Sequence, residues 1–281
     1  MATTQNALEN LPESRHLGHR SPLPERYDPS LLVRVPREVN RKESNIPTPL
    51  SFVGIDVWQA YEASCLTAEG IPTQCVLKIV YPANSPFLVE SKSLKLYLHS
   101  LNSTVLGESQ TDARHALAQR VAADLAQALE TSVQCAPHTV YSGGFDFNGF
   151  VPAEENLDAD VSAEDSVLRF HTRLLRSRCR ITGQPDWGNL YLSAETDTHL
   201  SQRTLLERIL PLRNEFHFHE EMCELIFTRA MEWLNPRSLM VATLYTRRGG
   251  IDISPVRATS PSLLPALLGD PRTLTSPAWR Q

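Results

Sequence analysis

The chain has 281 residues, a formal net charge of -5 and 41% hydrophobic residues, which is the composition of a globular protein with one or two domains. The slight acidic excess offers no broad cationic surface, so we expect no nucleic-acid partner. No run approaches the roughly 18 apolar residues that cross a bilayer, and Met1–Asn10 lacks a signal-peptide core, so we expect a cytoplasmic protein without a membrane partner. Five cysteines without a CxxC pair favour reduced thiols over disulfides or a zinc site.

The chain begins with a Pro-rich arm, residues 1–50, which holds seven of the 20 prolines. We expect this arm to lie along a folded body rather than to form a core of its own. Residues 51–150 are predicted to form a first module. Cys75–Tyr81 has the β-branched and aromatic content of a strand, and Ser93–His99 alternates with period two, which predicts a neighbouring antiparallel strand.

An amphipathic helix follows in the prediction, because apolar residues recur at every fourth position over Leu117–Leu129. Ser109 and Asp112 can form a reciprocal cap at its start. Thr131–Tyr141 returns to strand-like composition. Residues 151–165, with their acidic run, are interpreted as an interdomain linker.

The second half, residues 166–257, repeats this order and is predicted to form a second module. Its predicted elements are strands over Val167–Ile181 and Asn189–Leu192, an ambiguous segment Arg203–Leu212, a helix over Phe218–Leu234 that Asn235 and Pro236 end, and a closing strand Ser238–Tyr245. Aligning Leu101 with Arg213 brings the two halves into register at an offset of roughly 112 residues. We therefore predict an α+β protein, a tandem duplication of a β-β-α-β unit, with a Pro-, Ser- and Thr-rich tail over 258–281.

The segment 176–188 is the most informative for chemistry, because it runs from a strand end into a Gly- and Pro-containing loop. Three arginines around Cys179 could stabilise a nucleophilic thiolate, although its two immediate neighbours point to the opposite face of an extended strand. Asp186 beside Trp187 is expected to be partly desolvated, which raises a carboxyl pKa and suits it to donate protons. An ordinary buried cysteine and a turn aspartate are the alternative.

Glu90 and Lys92 form a second candidate site at the start of the predicted strand Glu90–Tyr97. A glutamate can accept paired N–H donors from a planar heterocycle, and a lysine can hold a phosphate as a point charge. A solvated edge strand protected by lysines explains the same residues.

Two further segments carry polar side chains suited to binding. His219 and Glu220 lie where the long helix begins, and a capping role for Glu220 is the alternative. Arg248 and Gly249 follow the predicted closing strand and combine a cation with backbone freedom for a close phosphate approach, or else form a tight turn. No GxGxxG follows a strand, so a Rossmann dinucleotide site has no support.

Together these segments resemble the nitrile reductase family of queuosine biosynthesis, the NADPH-dependent 7-cyano-7-deazaguanine reductases, in its longer two-module form. The resemblance spans nearly the whole chain. Its most specific segments are Glu90–Tyr97, Cys179 with Gln184–Gly188, Phe218–Glu220 and Thr246–Gly250.

This resemblance implies tandem tunnelling-fold modules, in which antiparallel sheets are backed by helices, and the use of NADPH. Two modules per chain and the ring closure of this fold favour an even homo-oligomer, and we expect a homodimer. The spacing of cysteines and histidines predicts no metal site. It also implies that Cys179 adds to the nitrile carbon of 7-cyano-7-deazaguanine as a covalent thioimide and that Asp186 donates protons. The implied substrate contacts are Val89, Glu90, Ser91, His219 and Glu220. The implied NADPH contacts are Ser91, Lys92, Arg248 and Gly249.

Two other functions compete with this one. The first is a zinc-dependent cyclohydrolase-like enzyme of the same fold acting on a purine or pterin, which would need Cys and His ligands that the spacing does not supply. The second is a non-catalytic binding module.

Overall fold

The computed structural model describes residues 23–141, 144–157 and 167–274. In these ranges a small sheet pairs β1 (Arg34–Pro36) with β4 (Phe87–Val89). The nine strands of the main sheet are β2 (Val53–Thr67), β3 (Pro72–Pro82), β5 (Val105–Gly107), β6 (Gln134–His138), β7 (Val167–Cys179), β8 (Pro185–Glu195), β9 (Phe216–His217), β10 (Ser238–Tyr245) and β11 (Ile251–Ala258). The α-helices are α1 (Arg37–Glu43), α2 (Ser91–Ser100), α3 (Gln110–Leu129), α4 (Gln202–Ile209), α5 (His219–Leu234) and α6 (Ala266–Gly269).

The main sheet runs in the order β6-β3-β2-β11-β10-β8-β7-β9, with β5 beside β2. Its long strands pair antiparallel, and α2 to α5 pack on one face. The first half of that face forms a core with α2 and α3, and the second half forms a core with α4 and α5. This arrangement is the α+β class that the sequence predicted, with antiparallel strands backed by helices.

The tandem repeat is visible in the element order of the two halves. Each half has two long antiparallel strands, two helices and three further strands, so the predicted β-β-α-β unit lacked one helix and two strands. Val53 and Val167, which begin the first strand of each half, lie 114 positions apart, and Gln110 and His219, which begin the longer helices, lie 109 apart. The predicted offset of roughly 112 residues agrees with both.

Several predicted elements are confirmed. The cap at the start of α3 forms in both directions, since Asp112 N donates to Ser109 Oγ and the Asp112 carboxylate accepts from Ser109 N. The helix predicted over Phe218–Leu234 is α5, and Asn235 ends it with a positive φ of 40°. The strands predicted in the second half correspond to β7, β8 and β10.

The strand predicted over Ser93–His99 is wrong, because this segment is the helix α2. The alternation of leucine with polar residues in this segment gives the two-residue period that is typical of a strand. Leu94, Tyr97, Leu98 and Leu101 nevertheless form an i, i+3, i+4, i+7 stripe, and all four are buried in the core against β2 and β3.

The strand predicted over Ser238–Tyr245 is confirmed as β10, but the prediction that it closes the sheet is wrong, because β11 follows it. β11 contains Pro255 and the buried charged residues Asp252 and Arg257, which hide its strand pattern from sequence reasoning. It pairs with β2 of the first half along one edge and with β10 of the second half along the other. The division into two modules at the predicted boundaries stays a prediction.

The second face of the sheet is covered by the segment 145–150 and by part of the predicted tail. Leu268 of α6 is buried there against Val57, Val80 and Val256. The Lys78 ammonium, on the same face, donates to the carbonyl oxygens of Leu267 and Thr273 at 2.8 and 2.6 Å. The tail therefore packs on the body as far as residue 274.

Parts of three predicted segments lie outside the described residues, namely 1–22 of the arm, 158–165 of the linker and 275–281 of the tail. Within the described ranges no helix is both long and apolar enough to span a bilayer.

Candidate functional site

A cavity of about 730 Å³ opens between α2 and the start of α5, above β2 and β11. Nine of the ten site residues predicted from the sequence line this one cavity, although they come from both halves of the chain. These nine are Val89, Ser91, Lys92, Cys179, Asp186, His219, Glu220, Arg248 and Gly249. The tenth, Glu90, is not among the described lining residues.

Glu90 is the N-cap of α2, a role that the erroneous strand prediction hid. Its two carboxylate oxygens accept from Lys92 N and Ser93 N, each at 2.7 Å, and Ser93 Oγ donates to the Glu90 carbonyl oxygen at 2.7 Å. Burial raises the pKa of Glu90, and the hydrogen bonds from Lys92, Ser93 and Ser91 oppose that rise. The carboxylate thus faces the helix amides, and it fixes the neighbouring Ser91 at the cavity wall.

Cys179 lies at the end of β7, where the chain makes a tight hairpin into β8. Cys179 N donates to Gln184 O at 2.8 Å, and Gly183 N donates to Cys179 O at 2.9 Å, with Gly183 in the left-handed region at a φ of +67°. Because Ser177 pairs with Asp186 in the ladder, Cys179 and Asp186 are diagonal neighbours on one face of the sheet. The hairpin therefore presents thiol and carboxylate to the same cavity.

The three arginines around Cys179 do not support the predicted stabilisation of its thiolate, because other partners hold their guanidinium groups. Arg176 lies over the Trp187 ring and Arg178 over the Phe216 ring, both at 5.3 Å. Arg180 pairs with Glu43 and approaches Glu221 at 3.7 Å.

Asp186 is 5% exposed, as predicted, yet its pKa is lowered rather than raised. Burial alone would raise the pKa of this carboxyl, but His219 and Arg248 outweigh that effect. His219 Nε2 lies 3.5 Å from Asp186 Oδ2, and the Arg248 guanidinium donates to Asp186 Oδ1. The sequence prediction counted the desolvation and missed two partners that are distant in the chain, the Arg248 guanidinium and the His219 ring.

His219 is one of two histidines at the start of α5 that line the cavity. Its ring stacks on Tyr245 with centroids 3.8 Å apart and planes at 13°. His217 is held instead by two carboxylates, since its Nε2 lies 3.1 Å from Glu215 and its Nδ1 3.0 Å from Glu221. Burial lowers the pKa of His217, but these carboxylates raise it further than burial lowers it. His219, the histidine predicted from the sequence as a substrate contact, is the one that contacts Asp186.

Glu220 faces the cavity from the first turn of α5. It is 2% exposed, and its Oε1 has no hydrogen-bond partner among the described residues. Burial raises its pKa to about 7, with a further rise from Asp56 and an opposing effect of Arg37. The capping that sequence reasoning considered for Glu220 belongs to the next residue, because Glu221 accepts from Phe218 N at 3.4 Å. Glu220 is therefore a buried acceptor that a ligand can reach.

Sequence reasoning missed the apolar and cationic residues of the wall. Trp58 on β2 faces Ile251 and Ile253 on β11, and Phe218 and Lys95 complete the wall on the helix side. The alternation of β2 predicts one inward-facing residue at every second position, which could have found Trp58. The β11 residues could not be placed because that strand was not predicted.

The chain was compared with known proteins. The family model described as "Nitrile reductase, 7-cyano-7-deazaguanine-reductase N-term" matches residues 23–136, and the one described as "QueF-like protein" matches residues 185–262. The NADPH-dependent 7-cyano-7-deazaguanine reductase of Bordetella pertussis is 36% identical over 276 residues, which cover 92% of this chain and 97% of that protein. The chain belongs to this family.

Other relatives of the same name give the same result. The Cupriavidus necator protein is 35% identical over 266 residues, and the Legionella pneumophila protein is 33% identical over 272, covering 94% and 92% of those proteins. A solved structure titled "Crystal structure of the archaeosine synthase QueF-Like in the apo form" is 18% identical and covers 34% of this chain with a TM-score of 0.32.

Proposed function

We propose that this chain reduces the nitrile of 7-cyano-7-deazaguanine to the aminomethyl group with NADPH, the step that its family carries out in queuosine biosynthesis. Family membership supports the activity and the cofactor. The observation that carries the assignment of residues is the single cavity in which the Cys179 thiol, the ion-paired Asp186 carboxylate and the buried Glu220 carboxyl meet.

The deazaguanine base is proposed to bind with its N–H donors on Glu220. The unpartnered Oε1 of this buried carboxyl needs a donor, and an N–H group of the base supplies one. Trp58 and Ile253 offer apolar surface for the planar ring, and His219 lies beside Glu220. Val89 and Ser91 remain proposed substrate contacts at the start of α2, and we assign Glu90 to holding that helix start in place.

The NADPH contacts Ser91, Lys92, Arg248 and Gly249 fit a phosphate-bearing cofactor. Lys92 and Lys95 lie one helical turn apart on α2, and both line the cavity together with Arg248. Gly249 has a φ of +57°, and a Cβ atom there would lie 3.0 Å from Lys95 Nζ, so a side chain would crowd this wall. When bound, NADPH supplies the hydrides.

The first step joins Cys179 to the nitrile carbon. Asp186, kept ionised by Arg248 and His219, takes the proton of the Cys179 thiol. The sulfur then forms a C–S bond as one π bond of the nitrile opens, and Asp186 passes the same proton to the nitrile nitrogen. The product is a thioimide whose carbon is a better hydride acceptor than the nitrile. Asp186 thus acts as a base first and as an acid second.

The remaining steps return Cys179 to its thiol form. After the first hydride adds to carbon, Asp186 takes up a proton from water and delivers it to the nitrogen. The C–S bond then breaks, and the nitrogen forms a double bond to carbon as it returns a proton to the sulfur through Asp186. The second hydride and a second proton convert this imine to the primary amine. The wall formed by Trp58, Phe218 and Ile251 limits the access of water to the imine.

The decisive experiment separates adduct formation from turnover. Wild-type protein mixed with the nitrile and no NADPH should gain the mass of one nitrile, and Cys179→Ala should gain none. With NADPH added, absorbance of the reduced nicotinamide should fall by two equivalents per nitrile, only when the nitrile is present. Turnover by Cys179→Ala at the wild-type rate would disprove the covalent route, and a wild-type protein without nitrile-dependent oxidation would disprove the activity.

The expectations of a homodimer, of a cytoplasmic location and of no nucleic-acid partner stay predictions. Sedimentation of the purified protein measures the first directly.

A further inference from the structure

A network of buried charges reaches α5 at Glu224, one helical turn after Glu220, and its residues are not among the described lining of the cavity. Arg37, from α1 in the N-terminal arm, donates to the Asp56 carboxylate on β2 and through Nε to Ser85 Oγ at 3.0 Å. Asp56 also accepts from Arg257 Nη1 of β11 at 2.8 Å. Arg37 is 3% exposed, and Asp56 and Arg257 are fully buried.

Glu224 completes this network one helical turn after Glu220. Its carboxylate accepts from Arg257 Nη2 at 2.9 Å and from Arg41 Nε and Nη2 at 2.8 and 2.7 Å. Arg37 Nη1 lies 3.8 Å from Glu224 as well. Each charged group of this network has a partner of opposite charge within it, which holds the charges in place. None of the hydrogen bonds described for the network involves Glu220.

We propose that Arg37 and Asp56 are positioning residues that set the charge of the Glu220 carboxyl group and, through it, how tightly the nitrile base binds. The binding part rests on the proposed function. The charge part concerns Glu220 alone and holds or fails without any substrate.

The two residues act on Glu220 with opposite signs. Burial of Glu220 and the negative charge of Asp56 both raise its pKa, whereas the positive charge of Arg37 and the neighbouring His219 lower it. The titratable and charged groups whose charges interact with that of Glu220 are Arg37 from α1, Asp56 from β2, Tyr81 from β3, Tyr245 from β10 and His219 from α5. Arg257 and Glu224 are hydrogen-bonded to each other in the same network.

The charge of Glu220 matters because an ionised carboxylate has only hydrogen-bond acceptors to present to the base. A protonated Glu220 would present a donor to the N–H groups of the base and leave the pairing incomplete. The affinity for the base should therefore follow the ionised fraction of Glu220, which Arg37 and Asp56 adjust from a position that the base does not touch.

The experiment follows the infrared C=O band of protonated Glu220, defined as the band that wild-type protein shows and Glu220→Gln lacks. In wild-type protein without ligand, this band should disappear with a midpoint near pH 7. A midpoint near 4.5, the ordinary value, would overturn the proposal without any further variant.

Two substitutions then test the signs. Asp56→Asn, which keeps the shape and one acceptor oxygen for arginine, should lower the midpoint by about one pH unit, and Arg37→Gln should raise it by about as much. Arg37→Lys, which keeps the charge, should restore most of the wild-type midpoint. Arg237→Gln is the matched control, since Arg237 also binds two carboxylates but on the exposed surface, and it should leave the midpoint unchanged.

Circular dichroism checks that each variant is folded, and only the midpoints of folded variants are used to test the proposal. A merely structural role would lower stability and leave the midpoint where it is, so an unmoved midpoint in folded Asp56→Asn overturns the inference. In calorimetric titrations at pH 6, Asp56→Asn should bind the nitrile roughly fivefold more tightly than wild type, since the ionised fraction rises from about a tenth to about half. Moved midpoints with no nitrile binding in any variant would reject the proposed substrate and keep the charge coupling.

Discussion

The Asp186 carboxylate shows at the scale of single residues how a distant partner reverses a local expectation. Its neighbour in sequence, Trp187, and its burial favour a raised pKa, but Arg248 and His219 reach it from two other elements and lower that pKa. Which carboxyl is buried could be predicted from the sequence. Which cations approach it depends on the fold, because Arg248 lies 62 positions away.

Arg248→Gln should therefore move the pH dependence of adduct formation. Without the guanidinium, the pKa of Asp186 rises, so the carboxylate that accepts the Cys179 proton is lost at a higher pH. The acidic limb of the rate of thioimide formation should shift upward by about one pH unit. Quenched mixing of protein and nitrile without NADPH, followed by intact-mass analysis, measures this rate and avoids any effect on cofactor binding.

The control for this shift is Arg247→Gln, which removes the adjacent cation. Arg247 lies over the Tyr61 ring at 4.5 Å and is not among the residues described as lining the cavity. An equal shift in both variants would mean that the effect is general electrostatics and that Arg248 has no specific pairing with Asp186.

The five cysteines should differ sharply in reactivity. Burial raises the pKa of Cys75 and of Cys223 to about 12 and also raises the pKa of Cys65 and of Cys135, whereas Cys179 is the cysteine among the described lining residues of the cavity. In the folded protein, iodoacetamide should modify Cys179 at least about tenfold faster than Cys75. Peptide mass mapping over time measures both rates, and similar rates would contradict the assignment of Cys179 as the accessible thiol.

Helix α2 shows at the scale of elements why part of the site could not be predicted. Glu90, Ser91 and Lys92 were selected from the sequence as a group, and they lie together at the start of α2, but the wrong period placed them on a strand. On a strand Glu90 would project a free carboxylate, whereas at a helix start its oxygens bind the amides of Lys92 and Ser93. Only the position of α2 against β2 and β3, which the sequence does not specify, decides between the two periods.

Glu90→Ala should lower both the free energy of unfolding and the affinity for NADPH. Loss of the cap costs about 1 kcal/mol of the free energy of unfolding, and the freed helix start misplaces Ser91 and Lys92. Ser109→Ala, which removes the cap of α3 away from the cavity, should cost a similar free energy and leave NADPH affinity unchanged. Urea unfolding and NADPH titration test both variants. Unchanged NADPH affinity in Glu90→Ala would mean that the cap of α2 does not contribute to NADPH binding.

At the scale of the whole molecule, the two repeated units are joined by a shared strand and by shared charges. β11 pairs with β2 and β10, so the sheet has no gap between the halves. On that strand, Arg257 links Asp56 of the first half to Glu224 of the second. The duplication could be predicted from the offset between the halves. The strand that joins the halves, β11, could not be predicted, because it contains a proline and buried charged residues instead of alternating apolar residues.

Arg257→Met should consequently destabilise the chain as one unit. Methionine keeps much of the volume but leaves Asp56 and Glu224 each short of a partner in the buried interior, at a cost of about 3–5 kcal/mol. Arg34→Met removes an exposed pair with Glu130 and should cost less than about 1 kcal/mol. We expect far-UV circular dichroism and tryptophan fluorescence to give coincident urea transitions in the wild type and in both variants, because Trp58 lies in the first half and Trp187 and Trp233 in the second. If the halves folded independently, Arg257→Met would instead split the two signals into separate midpoints.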